Sequence, residues 1–423
     1  MCTPVDLGVM TAVSHPAPWL DDYRSVARTA FAEADAPSDE EEVWRYSRIG
    51  DVDLTRYRRT DQAPASAPDP IQIDGSAATV VIRNGVASIE RTDKLGKATV
   101  QTIGEHGDGA DLLNSVRGDA HDAIAYLHDA NLTDVIVIDV PRGHAVEAPI
   151  VIDNYSDAKG TLTCPHTIVR AGAGSQVTVV ERRRSDETDQ LVVPVVEIDA
   201  APDSNVGYLV IQQLGRSTIS LEHIVSKTDQ QAHVVSSVAA FGGSYARTRA
   251  DFRLVGRGAS GDILSAYFGD EDQMLDFRTF QDHEAPDTTS HLLFKGAVTG
   301  TAQSVYSGLI RVSEDAPGTN AFQTNRNLKL SDQAWAYSVP NLEIEQNQVA
   351  CSHASTVGEI DEDQQYYLES RGVPTNIAEQ LLVSGFFAEV IEKLPVDAVK
   401  AELQTIIDDA LAADRVNQGD QKS

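Results

Sequence analysis

The region from residue 133 to residue 357 is a succession of short runs rich in valine, isoleucine and threonine. Glycine, asparagine, aspartate and serine separate these runs. β-Branched residues favour strands and the separating residues favour turns, so each run predicts one short strand. No long helical pattern interrupts the series between about residues 135 and 355, which excludes a fold of alternating strands and helices. The runs include DVIVIDV, PIVIDN, HTIVRA, SQVTVVER, LVVPVVEID, GYLVIQQL, ISLEHIVS, HVVSSVAAF, ARTRADFRLV, GDILSAYFG and SVYSGLIRV.

Such a series of strands is compatible with a solenoid, a sandwich or a barrel. In a solenoid each coil buries its inner face against its neighbours, which suits a long series over about 220 residues. The sequence shows no strict repeat motif. The pattern therefore favours a solenoid but leaves a sandwich or barrel open.

The hydrophobic pattern divides the chain into three parts. Residues 1–132 predict an N-terminal helical and mixed region, with a linker rich in proline and alanine at 61–70 and a hairpin around the Asn-Gly of TVVIRNGVASIE. Residues 133–357 predict the strand-rich core. Residues 358–423 predict a C-terminal helical region, because apolar residues return there to helical spacing.

Two apolar stripes in the last part predict a helical hairpin that packs on the body of the protein or on a partner. The first stripe comprises Val383, Phe387, Val390 and Leu394, and the second comprises Val399, Leu403, Ile406 and Ala410. A shorter helix precedes them. Asp361 with Gln364 resembles a capping box at its start, and Gly372 with Pro374 beyond it marks its end.

The formal net charge is −30 at pH 7, and the acidic residues are spread along the whole chain. A distributed acidic surface repels nucleic acid and anionic membranes, so neither is an expected partner. It suits solubility at high salt, where self-repulsion is screened, and so predicts a halophilic protein. An ordinary acidic cytosolic protein is the alternative.

The same sequence predicts a cytoplasmic location. No run of about 18 apolar residues predicts a transmembrane helix. The N-terminal stretch has no basic residues before its apolar patch, so we expect no secretory signal. Cys2, Cys164 and Cys351 are few and widely spaced. This excludes a disulfide framework and a zinc site of the CxxC type, and it indicates a reducing compartment.

The common catalytic and nucleotide-binding motifs are missing. LGKAT at 95–99 lacks the upstream glycine and the hydroxyl of a P-loop, so we expect no ATP hydrolysis on this chain. AGAG at 171–174 predicts a turn between strands. Asp282, His283 and Glu284 form either an acid/base cluster or, as the pattern favours, a polar turn before a proline.

Cys351 and His353 form the most unusual short pattern in the chain. They lie in VACSH, which continues a strand-like run, and residues two apart in a strand point to the same side. A thiolate and an imidazole are suitable ligands for iron–sulfur clusters, Cu(I) or zinc, but two ligands do not complete a site. A partner chain would have to supply the others. The alternative, which the residues alone favour, is a small buried cysteine beside a hydrogen-bonded histidine.

Three segments resemble the SufB/SufD family of iron–sulfur cluster assembly proteins. They are QDHEAPDTTSHLLFKGAVTGTAQSVYSGLIRV at 281–312, APGTNAFQTNRNLKLSDQAWAYSVPNLEIE at 316–345 and ACSHASTVGEIDEDQQYYLESRG at 350–373. The match is looser from about 140 to 280, and VWRYSRIGDVDL resembles the family's entry segment. The CSHASTVG run and the absence of a cysteine from NRNLKLSDQAWAYSVP resemble SufD more than SufB. Ala354 and Ser355 depart from the commoner Gly and Ala.

The resemblance implies a right-handed parallel β-helix flanked by N-terminal and C-terminal helical regions. It implies a non-catalytic scaffold subunit that pairs with a SufB-like subunit and binds a SufC-like ATPase through helices at about 360–412. The resulting SufBC2D-type complex would assemble iron–sulfur clusters, and ATP would be hydrolysed by SufC. His353 matches the SufD histidine implicated at the SufB–SufD junction. It is therefore the expected ligand of a transient cluster shared with the partner, with Cys351 as a second candidate.

Three alternatives remain at this stage. The chain could be a SufB-like principal cluster scaffold, although its three cysteines and its CSH form argue against this. It could be a β-solenoid of another function, such as a carbohydrate-active enzyme. It could also be a purely structural solenoid without a site, for which replacement of His353 would be silent. In the absence of a SufB-like partner, the chain could form a homodimer through its sheet edges.

Overall fold

Consecutive strands of the central region alternate between two sheets and wind the chain into coils. Thr218–Thr228 lies in the first sheet, His233–Ala240 lies in the second, and Tyr245–Leu254 returns to the first. Each strand pairs in parallel with the strand one coil earlier, as Tyr245 does with Ile219. The computed structural model, which describes residues 18–60, 68–106 and 109–420, is thus a parallel β-helix of about eight turns. The predicted solenoid is confirmed, and the sandwich and barrel alternatives are wrong.

The strands are numbered here along the chain over the described residues. They are β1 Arg58–Arg59, β2 Ala78–Arg83, β3 Val86–Arg91, β4 Thr99–Thr102, β5 Val135–Val140, β6 Ile150–Ser156, β7 Thr161–Thr163, β8 His166–Ala171, β9 Gln176–Ser185, β10 Gln190–Val192, β11 Val195–Ala200, β12 Asn205–Gln213, β13 Thr218–Thr228, β14 His233–Ala240, β15 Tyr245–Leu254, β16 Ser260–Gly269, β17 Met274–His283, β18 Thr289–Val298, β19 Gln303–Val312, β20 Asn320–Lys329, β21 Trp335–Ile344 and β22 Ala350–Gly358.

The first sheet runs in the order β21-β19-β17-β15-β13-β11-β8-β5-β4, and the second in the order β22-β20-β18-β16-β14-β12-β9-β6-β2-β3. Alternate residues of each strand point inward and stack on the equivalent residues of the neighbouring coils. The interior is aliphatic in the early coils, where Ile136, Ile152 and Val179 are buried, and aromatic in the later ones, where Tyr267 and Phe294 are buried. This continuous core explains why the valine- and isoleucine-rich runs form strands.

The C-terminal helices cover the outer face of the second sheet. They are α4 Glu362–Ser370, α5 Thr375–Ile391 and α6 Lys400–Asp420, with a short 3-10 turn at Asp397–Val399. The stripe predicted on α5 is confirmed. The second predicted stripe is confirmed for Val399 and Leu403, which are buried. Its last two positions are shifted by one residue, because Ile407 and Leu411 are buried whereas Ile406 and Ala410 are only partly buried.

Two cations of the sheet hold these helices in place. Both terminal nitrogens of the buried Arg182 donate to the carboxylate of Glu402 on α6. The buried Lys295 donates to the backbone oxygen of Phe386 at 2.8 Å and forms an ion pair with Glu389 at 2.5 Å, both on α5. The helical part is therefore joined to the solenoid by charge as well as by apolar contact.

The N-terminal region covers the outer face of the first sheet. It contains α1 Pro18–Glu33, α2 Gly109–Leu112 and α3 Ala123–Asn131, and short 3-10 turns at Glu42–Trp44 and Ile49–Asp51. The ring of Trp44 packs against the sheet, with the guanidinium of Arg247 3.7 Å from its centre. Arg247 and Arg278 donate to the backbone oxygens of Val43 and Arg45, which holds this segment across the sheet.

Several local predictions have a clear outcome. The hairpin at Asn84 is confirmed, because β2 and β3 pair in antiparallel fashion around it. The predicted turn at 171–174 joins β8 to β9. The polar turn predicted at 282–284 is wrong for His283, which ends β17 inside the solenoid and bonds to Thr288 and Ser290. Most of the linker at 61–70 lies outside the described residues, and the three-part division stays a prediction.

Candidate functional site

The C-terminal end of the solenoid is formed by two strands that each have one neighbour within their sheet. β21 pairs with β19 and ends the first sheet, and β22 pairs with β20 and ends the second. The two strands comprise 10 and 9 residues, and Glu343 is the one carboxylate or basic Lys/Arg side chain among them. Their exposed large apolar residues are Trp335, Tyr337, Val339, Leu342, Ile344 and Val357. The last coil thus presents an apolar surface in a very acidic chain.

The pairing register places Cys351 and His353 on the inner side of this last coil. Cys351 lies beside Ala321 and His353 lies beside Gln323, and both β20 residues are buried inside the solenoid. Cys351 and His353 point to the same inner face, because paired residues of adjacent strands point to the same face of a sheet. The thiol and the imidazole therefore share one side, which opens at the end of the solenoid.

The two side chains have different surroundings. Cys351 is half-buried against the cluster that contains Ile310 and Ala321, and burial raises the pKa of its thiol. His353 is exposed, and its imidazole has no hydrogen bond with any described residue. Over residues 18–60, 68–106 and 109–420, no group of three or more His, Cys, Asp or Glu side chains is placed to hold a metal. The pair is thus an incomplete ligand set with an accessible imidazole.

A polar layer lies directly beneath this surface, inside the solenoid. Asn325 accepts hydrogen bonds from Asn327 and from Ser338, and Asn327 accepts one from the hydroxyl of Tyr267. Sequence reasoning missed this layer, because the residues come from three strands. Asparagines at alternate positions of the strand-like segment FQTNRNLKL are the sequence signal that could have indicated it.

An aromatic stack borders the open end on its outer side. The rings of Tyr46 and Tyr337 stack at 4.8 Å with an interplanar angle of 4°, and Trp335 stacks on Tyr337 at 6.2 Å. Trp335 is 56% exposed. Through this stack the N-terminal segment packs on the outer face of β21, so the outer side of the last coil is covered there although its inner side is open.

A second exposed surface lies on the C-terminal helices. Tyr366 and Tyr367 on α4 are 71% and 57% exposed, and α4 has no buried residue. Ile377 and Leu381 on α5 are also exposed. The opposite face of α5 packs on the second sheet, so this surface projects away from the solenoid.

Comparison with known proteins identifies the family. The family described as the SUF system FeS cluster assembly SufBD core domain matches residues 154–386. An iron–sulfur cluster assembly SufBD family protein of Mycobacterium tuberculosis is 31% identical over 388 residues, which are 89% of this chain and 90% of that protein. This chain belongs to the SufBD family of iron–sulfur cluster assembly proteins.

The family relatives named SufD are also similar over most of the chain. The iron–sulfur cluster assembly protein SufD of Bacillus subtilis is 27% identical over 373 residues, covering 87% of this chain and 82% of that protein. SufD of Escherichia coli is 27% identical over 293 residues, covering 67% and 69%. The predicted family and its SufD-like character are confirmed. No helix among the described residues is long and apolar enough to cross a membrane.

Proposed function

We propose that this chain is a non-catalytic, SufD-like scaffold subunit that completes an iron–sulfur assembly site by pairing with a SufB-like subunit. The open end of the solenoid carries this proposal. Unpaired strand edges promote association, and natural proteins commonly protect them with charged side chains. Here the chain has a net charge of −30, yet its two terminal strands are almost uncharged. Such an edge suits a partner that adds strands to both sheets.

The nascent cluster would be the cargo of this junction. Its iron would be bound by the imidazole of His353, with Cys351 as a second ligand once iron displaces the thiol proton. The raised pKa of Cys351 favours the protonated thiol in the free chain, which ranks His353 first. The incomplete ligand set supports a site whose remaining ligands come from the SufB-like partner.

The exposed surface of α4 and α5 suits the second partner, a SufC-like ATPase. Exposed aromatic and aliphatic residues on helices that project from the solenoid are typical of a protein interface. ATP would be bound and hydrolysed by SufC. Closure of the ATPase pair would shift the junction only if its open and closed arrangements differ in affinity for nucleotide-bound SufC.

We further propose a cytoplasmic protein adapted to high salt. The acidic surface supports this, because self-repulsion at low ionic strength opposes the compact state. At about 1 M salt the screening length falls to about 3 Å, so most of the stabilisation should be reached there. Thermal unfolding of the chain between 0.1 and 3 M KCl tests this. A midpoint that does not rise with KCl would contradict it.

Co-purification with the cognate SufB-like and SufC-like proteins at high salt tests the function. We expect the wild type to form a complex that carries iron and sulfide. His353→Ala should assemble equally well but lose the cluster. His291→Ala is the matched control, because His291 is an exposed histidine on the outer face of β18 and should leave both readouts unchanged. A chain that never joins a SufC-containing complex would overturn the proposal.

A further inference from the structure

Gln323 is an unusual buried residue in the polar layer beneath the open end. Its side chain is 2% exposed, and both its Oε1 and its Nε2 are buried without a hydrogen-bond partner among the described residues. The neighbouring Asn325 and Asn327, on the same strand and the same face, have partners for their amide groups. Buried side-chain amides are nearly always paired, so an amide with neither atom paired requires an explanation.

The position of Gln323 beside His353 explains its unpaired amide. It is the register partner of His353, and β20 and β22 are adjacent strands, whose spacing is about 4.8 Å. Both side chains point to the inner side of the last coil. The imidazole of His353 also has no hydrogen bond with any described residue. Two unpartnered polar groups with complementary chemistry are therefore nearest neighbours on one face, directly where the proposed ligand lies.

We propose that Gln323 is a positioning residue for His353 in the assembled complex. Its Oε1 would accept a hydrogen bond from one imidazole N–H, which fixes the tautomer and directs the lone pair of the other ring nitrogen to iron. Histidine ligands of metals almost always donate their second N–H in this way. This inference rests on the proposed function, because it assigns a role toward the ligand His353. The proposed function concerns the ligand itself, whereas this inference assigns a role to Gln323, which does not contact the cluster.

The test uses the complex with its SufB-like and SufC-like subunits, loaded anaerobically with ferrous iron and sulfide. Gln323→Met keeps the length of the side chain but removes the acceptor, and Gln323→Glu keeps an acceptor. Gln281→Met is the matched control, because Gln281 is another buried glutamine of the solenoid interior that bonds to Ser290, in a coil away from His353. Iron affinity from anaerobic titration, iron and sulfide content, complex assembly and the unfolding midpoint of the free chain are measured for each variant.

We expect Gln323→Met to reduce iron affinity by at least about 10-fold, the usual loss when the partner of a metal-bound histidine is removed. Assembly should stay at the wild-type level, and the unfolding midpoint should stay at or above the wild-type value. Gln323→Glu should retain most of the iron. Gln281→Met should keep wild-type iron affinity and assembly, although the loss of its buried hydrogen bond to Ser290 should lower its unfolding midpoint. In a His353→Ala background, Gln323→Met should cause no additional loss, because the two residues act as one unit.

Three results would overturn the inference. Wild-type iron content in Gln323→Met would show that the amide does not orient the ligand. Loss of assembly or a lower unfolding midpoint would show a structural role instead. Additive losses in the double variant would show independent roles, for instance an amide that bonds to the partner chain. If His353→Ala itself keeps its cluster, the proposed role of His353 as a ligand is wrong, and this inference is wrong with it. If His353→Ala loses the cluster and Gln323→Met does not, this inference alone fails.

Discussion

The two ends of the solenoid are finished in opposite ways. At the N-terminal end, β3 pairs with β2 and β4 pairs with β5, and both pairs are antiparallel. At the C-terminal end, β21 and β22 continue the parallel order of their sheets. An antiparallel edge strand ends the winding of coils, because the next coil would have to pair with a strand of the opposite direction. The parallel edges leave the winding open to continuation.

The two ends also differ in burial and charge. At the N-terminal end, called here the closed end because its edge strands β3 and β4 are antiparallel, Val80 and Ile82 are buried beneath β3, and β3 itself carries Glu90 and Arg91. At the open end most residues of β22 are exposed, and the strand has no Asp, Glu, Lys or Arg. In the second sheet, therefore, the edge strand β3 at the N-terminal end is charged, whereas the edge strand β22 at the C-terminal end is uncharged and better suited to association.

The largest expected effect is on assembly. Leu342→Lys combined with Val357→Lys places two unpaired charges in the proposed junction, and each uncompensated buried charge costs about 3 kcal/mol or more. Together the two charges should weaken binding to the SufB-like subunit by about 10,000-fold or more, measured by size-exclusion chromatography and by titration calorimetry. The free chain should keep its stability, because both residues are exposed.

The matched control places the same charges elsewhere. Val26 on α1 and Val86 on β3 at the N-terminal end are also exposed apolar residues, so Val26→Lys with Val86→Lys should leave assembly unchanged. If the control weakens binding as much as the open-end pair does, association depends on net charge and the contrast between the two ends is lost.

The second prediction compares the stability of the two ends. Ile82→Ala removes a buried side chain from the closed end and should lower the free energy of unfolding by about 2–5 kcal/mol. Val357→Ala at the open end should change it by less than about 0.5 kcal/mol, because Val357 is 46% exposed. Urea titration of the free chain measures both. Equal losses would mean that the last coil is packed as firmly as the first.

The sequence predicts the solenoid well because its determinants are local. Each run of β-branched residues forms its strand, and the hairpin at Asn84 follows from the Asn-Gly turn. The second half of the α6 stripe is wrong by one position because Ile406 and Ile407 are both apolar, and only the packing on the second sheet selects Ile407. Such a choice depends on contacts far apart in sequence.

The candidate site is predicted only in part, for a related reason. Strand alternation predicts that Cys351 and His353 share one side, but not that this side is inward or that the coil is open. The register with Ala321 and Gln323 decides this, and it joins strands separated by a turn and another strand. The polar turn predicted for His283 is wrong, because a polar triplet before a proline is typical of a turn, whereas here both ring nitrogens form hydrogen bonds with the buried hydroxyl groups of Thr288 and Ser290.

The third prediction measures how far the opening reaches into the solenoid. Burial lowers the pKa of His283 to about 4, below the ordinary value of 6.5. The folded state therefore favours the neutral ring, and this contribution is complete above pH 6.5 and is lost as the pH falls toward 4. The shift corresponds to roughly 3 kcal/mol of unfolding free energy.

Urea titrations between pH 7.5 and pH 4.5 of wild type and His283→Gln isolate this contribution, because other groups titrate equally in both. The wild type should lose more stability than the variant as the pH falls. If the two pH profiles are parallel, His283 is hydrated in the folded state, and water enters the solenoid through the open end beyond its last coil.

The smallest expected effect separates stability from function at the open end. A buried amide without partners costs about 1–3 kcal/mol, so Gln323→Met should leave the free chain equally stable or more stable by about 1 kcal/mol. Asn325→Leu, in the same layer, should destabilise it, because this change leaves Asn327 and Ser338 without their acceptor. Urea titration of the free chain measures both variants. Destabilisation by Gln323→Met would mean that its amide has a structural partner in the free chain. The open end would then resemble the closed end, because its buried polar groups would be paired without another chain.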